Sequence, residues 1–261
     1  MPDNHKLSPL VLIGLALAFL SLVALMLAGP GTRWEWWHFT TGFVMVRWAA
    51  YGGMLAAVVS ALGIVLSSLR HRMFGSALLA LAGVLIGLLT AAIPWSWMQA
   101  AKKVPAIHDI TTDTVNPPQF QAILLLRKNA LNPVEYGGPE IAAQQLKAYP
   151  DVKTLVLNAP VATAFQKALE NARGMGWNIV AENETAGRIE AVDRTFWFGF
   201  EDDIVIRIMP QGPLSRVDIR SVSRVGKSDI GTNAKRIRKF LYLMKRETLS
   251  EASSEKPNVG Y

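Results

Sequence analysis

The sequence predicts an α+β protein in which three N-terminal transmembrane helices precede an antiparallel-sheet domain with the element order β-α-β-β-β-β-α. Two observations predict this fold class. Apolar residues make up 51% of the 261 residues, and nearly all of the excess lies before residue 102. That fraction is too high for an ordinary soluble chain of this size. Beyond residue 102 the apolar residues follow strand and helix periods instead of forming long runs.

Three apolar runs, residues 10–28, 48–66 and 74–93, are each long enough to span a bilayer. At 1.5 Å per residue, each nearly crosses a hydrocarbon layer about 30 Å thick. The first run is longer than the apolar core of a cleavable signal peptide, about 7 to 15 residues, so an uncleaved anchor is favoured. Residues 1–101 are therefore predicted to form a three-helix membrane anchor.

Small residues and the absence of charge within these runs favour an anchor over a transport path. Gly52, Gly53, Gly83 and Gly87 would let the second and third helices approach closely. Charged side chains in the middle of a span would mark an ion or substrate path, and these runs have none.

The positions of the basic residues predict the orientation. Arg70 and Arg72 lie in the short link between the second and third runs, and such cations are retained in the cytoplasm. The N-terminus is then cytoplasmic and the C-terminal domain periplasmic, in a bacterial inner membrane. Lys102 and Lys103 follow the third run and favour the opposite orientation.

The remaining chain is predicted to contain three parts. Residues 102–152 are rich in proline and lack a clear period, so we expect an extended tether and loops with at most one short helix. Residues 153–249 should form the α+β domain, and residues 250–261 a polar tail.

Within the domain, a short strand at 154–157 precedes a helix that Pro160 opens and Gly174 ends. A final helix starts near Ile230, with Ser228 or Asp229 as its N-cap. Between the helices, four strands are predicted at 177–182, 188–197, 203–209 and 216–224. This order implies an antiparallel sheet with helices on one face, resembling a helix-grip arrangement.

Three stretches carry a family resemblance. They are PAIHDITTD at 105–113, RTFWFGFEDD at 194–203 and RSVSRVGKSDIGTN at 220–233. Together they resemble the bacterial domain of unknown function 1499, over roughly residues 105–243. The resemblance implies these domain limits and a membrane attachment common in proteobacteria. It transfers no catalytic residue.

Composition excludes several kinds of chemistry. The chain has no cysteine, and His108 is its last histidine. Thiolate chemistry, a histidine metal cluster and a serine–histidine pair are therefore excluded from the C-terminal domain. We assign no catalytic residue, metal or cofactor.

Two clusters are candidate anion sites. If the hairpin turns lie at Gly199 and near Gln211, Asp203 faces both Arg194 and Arg220, on the sheet face opposite Ile204. The alternatives are a cross-strand charge ladder and a site in which a spare guanidinium binds a carboxylate or phosphate.

The second cluster is the strand-to-helix loop at 224–233, where free N–H groups at a helix N-terminus favour anions. Asp229 could also cap those groups itself. The candidate ligands here are Arg224, Lys227, Ser228, Asp229 and Asn233.

The leading functional hypothesis is a non-catalytic binding or assembly module for an anionic small molecule, a lipid head group or another envelope protein. Membrane lipids are expected partners. Nucleic acid is not, because residues 104–261 carry a net charge of only +2. One alternative is an enzyme or accessory subunit acting on envelope lipid or cell-wall material through the carboxylates of Asp109, Asp113, Asp202 or Asp203. Another is a structural subunit of a larger membrane complex.

Overall fold

A computed structural model of the chain describes residues 8–69 and 74–254. These residues form two compact units. The first contains the chain up to Lys102 together with the short segment Phe196–Gly199, and the second contains the rest of the chain. The predicted fold class is confirmed, since three long apolar helices precede a mixed domain built on a six-stranded antiparallel sheet.

The first unit contains helices α1 (Pro9–Arg33), α2 (Phe39–Leu69) and α3 (Phe74–Lys102). Each is long and apolar enough to cross a membrane. The three apolar runs lie inside these helices, which extend further because the link between α1 and α2 is only residues 34–38. The link cations Arg70 and Arg72 lie outside the described residues.

Glycines allow the helices to pack with their backbones close together. A Cβ added to Gly53 of α2 would lie 2.7 Å from the carbonyl oxygen of Gly87 in α3. Gly83 and Gly14 leave room in the same way for the buried Ser60. The predicted close approach through small residues is thus present in this unit.

The segment Phe196–Gly199 contributes aromatic rings to the first unit. The ring of Trp197 lies 4.7 Å from that of Trp97, centroid to centroid, and a Cβ on Gly29 would come within 2.5 Å of it. Phe198 packs beside Phe43 with the ring centroids 5.1 Å apart. Glycine at position 29 is therefore needed for this indole to fit.

The second unit is built on one sheet with the strand order β1-β6-β5-β4-β3. A short β2 also pairs with β6, further along the edge that β1 occupies. The strands are β1 (Asp109–Thr111), β2 (Leu155–Leu157), β3 (Asn178–Asn183), β4 (Arg188–Arg194), β5 (Glu201–Gln211) and β6 (Leu214–Ser223).

Helices cover one face of this sheet and enclose the main core. They are α5 (Val161–Gly174) and α6 (Thr232–Ser254), and the partly buried Ile141 of α4 (Gly138–Ala148) also packs against this core. Ile204, Ile206 and Ile219 of the sheet pack with Phe165 of α5 and Phe240 of α6, all nearly inaccessible to solvent. The alternation of apolar residues in β5 and β6 therefore identified the core face correctly. The finer resemblance to a helix-grip arrangement stays a prediction.

The prediction of an extended tether over residues 102–152 is wrong. This segment supplies β1, a short 3₁₀ helix (Ala122–Leu126) and α4. Phe120 and Ile123 cover the other sheet face, where they pack with Val192, Val205 and Val222 in a second, smaller cluster. The segment has no period because side chain-to-backbone hydrogen bonds, rather than regular structure, hold most of it in place.

Candidate functional site

The charged residues of the first candidate site lie on one sheet face, but their predicted pairing is wrong. Arg194 faces Glu201, and Asp203 faces Val222 instead of Arg220. Each register differs by two residues from the prediction. The turn between β4 and β5 centres on Trp197 and Phe198 instead of Gly199, and the turn between β5 and β6 lies at Gly212 instead of near Gln211. A two-residue shift preserves the side-chain face, so Arg194, Asp203 and Arg220 do share the face opposite Ile204.

Arg220 binds a carboxylate of the chain itself. Its side chain is fully buried, and Nε and Nη2 donate to the two oxygens of Asp109 at 2.9 and 2.7 Å. The remaining donors reach the carbonyl oxygens of Val134 and Pro118. This bidentate geometry is the one by which arginine recognises an external carboxylate or phosphate. Asp109 therefore occupies the position predicted for a ligand.

Aromatic rings enclose this pair. The guanidinium carbon of Arg220 lies 5.2 Å from the ring centroid of Phe120 and 5.5 Å from that of Tyr136. Burial raises the pKa of Asp109, and the Arg220 charge opposes that shift. Burial, followed by the nearby Asp109 charge, raises the pKa of Tyr136 to about 12. The Tyr136 phenol is thus neutral at physiological pH.

Asp203 is flanked by two guanidiniums, as predicted, but they belong to Arg127 and Arg224. Arg224 donates from Nε and Nη2 to Asp203 Oδ1 at 3.0 and 2.8 Å, and Arg127 Nη1 donates to the other oxygen. Arg224 also pairs with Glu201. Arg127 had no signal in the sequence, because it follows the 3₁₀ helix in a segment that carries no period.

A second ion-pair group lies further along β5 and β6 and was also missed. Asp218 accepts hydrogen bonds from Arg207, Arg216 and the hydroxyl of Thr154. Burial alone would raise the pKa of Asp218, but these bonds together lower it below its ordinary value. Arg207 and Arg216 also reach Asp113 at 2.9 and 2.6 Å. Asp113 is thereby fixed between two arginines.

The helix face of the sheet contains one more charged group, centred on Arg236 of α6. Its guanidinium contacts Asp202 at 2.6 Å and Asp193 at 2.7 Å, and it also donates to Asn233 and Ser221. Burial raises the pKa of Asp202, with the Arg236 charge acting against it. The four aspartates considered for catalysis are therefore all bound by arginines.

The second candidate site is a capped helix terminus. Asp229 accepts from the backbone N–H groups of Gly231 and Asn233, both at 2.8 Å. Burial raises the pKa of Asp229, and these N–H donors oppose the shift. Of the two predicted caps, Asp229 satisfies the amides at the start of α6, while Ser228 accepts from the N–H of Ile230. The capping alternative is the one that the geometry favours over anion binding.

The other members of this loop serve different roles. Asn233 is buried and links Ser221, Ser223 and the carbonyl oxygen of His108. Lys227 is exposed. Arg194 and Lys227 are the two exposed residues among the eight that were predicted to bind an anion. Among the described residues, no group of three or more potential metal ligands comes together.

Exposed cations also line one side of α6. At 100° per residue, Lys235, Lys239, Tyr242 and Arg246 fall on one helical stripe, and all four are exposed. The opposite side of the helix carries Ala234, Ile237, Phe240 and Met244, which are buried in the main core. We call the exposed set the α6 stripe. It is a surface cluster that combines positive charge with an accessible aromatic ring.

Fold and site together define a class of protein in which an α+β domain rich in buried arginine–aspartate pairs follows three apolar helices. The family model described as "Protein of unknown function (DUF1499)" matches residues 109–244, just over half of the chain. The chain belongs to this family. The match begins at β1 and ends within α6, so it covers most of the second unit, includes the segment Phe196–Gly199, and includes none of the three helices.

Other comparisons add little. No curated protein matches the chain. A solved structure, the crystal structure of TTHA0849 from Thermus thermophilus, is 11% identical and covers 38% of this chain and 95% of its own. Its TM-score is 0.25, so this similarity carries no argument about fold or function.

Proposed function

We propose that this protein is a membrane-anchored, non-catalytic binding module whose C-terminal domain presents positive charge to an anionic partner. The three apolar helices would anchor it in a bacterial inner membrane, with the domain in the periplasm. The proposed partner is an anionic lipid head group, an anionic small molecule or an acidic surface of an envelope protein. All three share the chemistry of a negatively charged, hydrogen-bond-accepting group.

The α6 stripe is the observation that carries this proposal. Arginines inside the domain are committed to carboxylates of the chain, as Arg220 is to Asp109. The cations that can meet another molecule are therefore those at the surface. A Lys or Arg beside an anionic membrane surface contributes about 1 kcal/mol, so three in one stripe would give useful affinity. Lys227 lies just before α6, and Arg194 is the other exposed member of the predicted set.

The engaged carboxylates support a non-catalytic role over the enzymatic alternative. A general acid or base must reach the substrate and exchange protons near the working pH. Asp109 and Asp202 are instead buried and bound by Arg220 and Arg236, and Asp203 is fully buried. These contacts make the aspartates good structural partners for arginine and poor candidates for proton transfer.

Photocrosslinking in native membranes tests the proposal on the full chain. Tyr242, 62% exposed, is replaced by a benzoylphenylalanine. We expect a defined adduct after irradiation, and its mass distinguishes a lipid from a protein or small molecule. Charge reversal at Lys235 and Lys239 should reduce the adduct at least about twentyfold, since the loss of two cations that contribute about 1 kcal/mol each already weakens binding by that factor.

Two controls make the experiment decisive. The same photoreactive residue at Val156, 44% exposed on β2, reports non-specific crosslinking. Charge reversal at Lys147 and Lys153, which are exposed and lie outside α6, should leave the Tyr242 adduct unchanged. Equal adducts at positions 242 and 156, or an adduct insensitive to Lys235 and Lys239, would refute the proposal.

A further inference from the structure

A group of leucines stands exposed on a short, well-anchored segment of the domain. Leu124, Leu125 and Leu126 of the 3₁₀ helix are 46%, 76% and 50% exposed, and Leu131 is 69% exposed. Ile123, their neighbour, is fully buried in the second core cluster. We call residues 124–131 the leucine loop. Its leucines contribute little to the core of their own domain.

The leucine loop is held in place from both ends. The Glu190 carboxylate accepts from the backbone N–H groups of Gln121, Ala122 and Ile123, at 2.9 to 3.1 Å. At the other end, the N–H of Leu131 donates to the carbonyl oxygen of Arg224 at 2.9 Å. Arg127, within the loop, is buried against Asp203. These hydrogen bonds fix the backbone of the leucine loop in a conformation that leaves its leucine side chains exposed.

The leucine loop lies at the end of the sheet where the chain enters the domain. Leu131 bonds to Arg224, and the neighbouring Ser223 bonds to the carbonyl oxygen of His108, just before β1. Only residues 103–108 lie between Lys102, the last residue of α3, and Asp109, the first of β1. A stretch of this length spans at most about 25 Å. Its length limits how far the start of β1 can lie from the membrane surface if α3 crosses the bilayer.

We propose that the leucine loop inserts into the interfacial layer of the same bilayer that the three helices cross. The inference rests on the proposed membrane anchoring but is independent of the α6 stripe. Exposed leucines with a cation beside them are the pattern of interfacial membrane contacts, in which apolar side chains enter the acyl boundary and Lys or Arg meets head groups. Lys128 supplies that cation within the loop and is exposed.

The proposed occupant is the bilayer because only residues 103–108 separate the domain from α3, the third apolar helix. A soluble partner would have to be captured from solution, whereas the bilayer is present wherever the helices are inserted. An apolar patch that stayed in water would also be an aggregation liability. Insertion of the leucines removes that surface from water and orients the domain.

Fluorescence quenching by spin-labelled lipid tests this proposal. The chain has no cysteine, so Leu125→Cys and Val156→Cys each give a single labelling site for a bimane fluorophore. The full chain is placed in nanodiscs that contain lipids with a nitroxide on the acyl chain. Quenching at position 125 should exceed that at position 156 at least about threefold, since interfacial elements bury about 5 to 10 Å into the head-group and acyl boundary.

Each other outcome overturns the proposal. Equal quenching at the two positions means that the leucine loop remains in water. Energy transfer between differently labelled copies, without lipid quenching, assigns the loop to a second copy of the chain. Protection from labelling in native membranes but not in nanodiscs assigns it to another protein. If Leu125→Cys fails to fold, Leu131→Cys makes the same measurement. The Tyr242 adduct does not depend on any of these results.

Discussion

At the scale of single residues, Arg220 and Asp109 form one of several buried ion pairs in this domain. Both side chains are removed from water, which is expensive for each ion alone. Two charge-assisted hydrogen bonds and two carbonyl acceptors offset that cost. Because the pair joins β6 to β1, it also fixes where the chain enters the sheet.

Removing Arg220 should therefore destabilise the domain, and the size of this destabilisation should depend on whether Asp109 is present. We expect Arg220→Ala to lower the free energy of opening of β1 and β6 by about 3 to 5 kcal/mol, because it leaves a buried carboxylate without its partner. Amide hydrogen exchange of the full chain measures this. The Arg220→Ala effect should shrink when Asp109 is already Asn, the non-additivity expected of contacting residues.

Arg194→Ala is the matched control for this cycle. It removes an exposed arginine from the same sheet face, where ion pairs contribute little. If Arg220 coupled to Asp203 and not to Asp109, the observed hydrogen-bond pattern would be wrong. That coupling is the one expected from the register inferred from sequence, so the two pairings make opposite predictions.

The residues of this face could be predicted, but their partners could not. Side chains alternate with period two along a strand, so the two-residue error in each assumed turn position still left Arg194, Asp203 and Arg220 on one face. Pairing depends on where each turn falls and on contacts distant in sequence. Asp109 and Arg220 are separated by 111 positions. No local pattern in the sequence indicates such a contact.

At the scale of elements, residues 112–136 show why an aperiodic segment is not always a tether. Proline-rich sequence without a period predicts loops correctly but does not say whether the loops are packed. Here Phe120 and Ile123 enter the second core cluster, and Glu190 from β4 satisfies the first amides of the 3₁₀ helix. The helices and strands after residue 153 were predictable because burial of one face imposes a period on them.

Glu190 should control the stability of this segment. Its buried carboxylate accepts three backbone N–H groups, and a hydrogen bond to a charged group contributes about 1.5 to 3 kcal/mol. We expect Glu190→Ala to raise amide exchange at residues 121–127 at least about tenfold, while the core amides of β5 change little. Glu182→Ala, at an exposed residue paired with Arg173, is the control. Uniform exchange changes across the sheet would indicate a global effect and contradict this role.

At the scale of the whole molecule, charge and hydropathy divide the chain near residue 102. The boundary between the two compact units falls at the same place, apart from the aromatic segment Phe196–Gly199. The place of that segment in the first unit could not be predicted from sequence, because a run of aromatic residues is also typical of a β-strand. The family match includes none of the three helices, so it provides no information about the membrane anchor.

The basic residues beside the apolar helices predict the orientation of the chain in the membrane. Three spans put the two ends on opposite sides, and the short link with Arg70 and Arg72 favours a cytoplasmic N-terminus and a periplasmic domain. A reporter active only in the periplasm, fused after Lys103, should therefore give signal. Lys102 and Lys103 oppose this orientation, so Lys102→Gln with Lys103→Gln should increase the signal, whereas Arg70→Gln with Arg72→Gln should reduce it. Activity of a cytoplasm-only reporter at the same position would reverse the topology and move the α6 stripe and the leucine loop to the cytoplasmic surface.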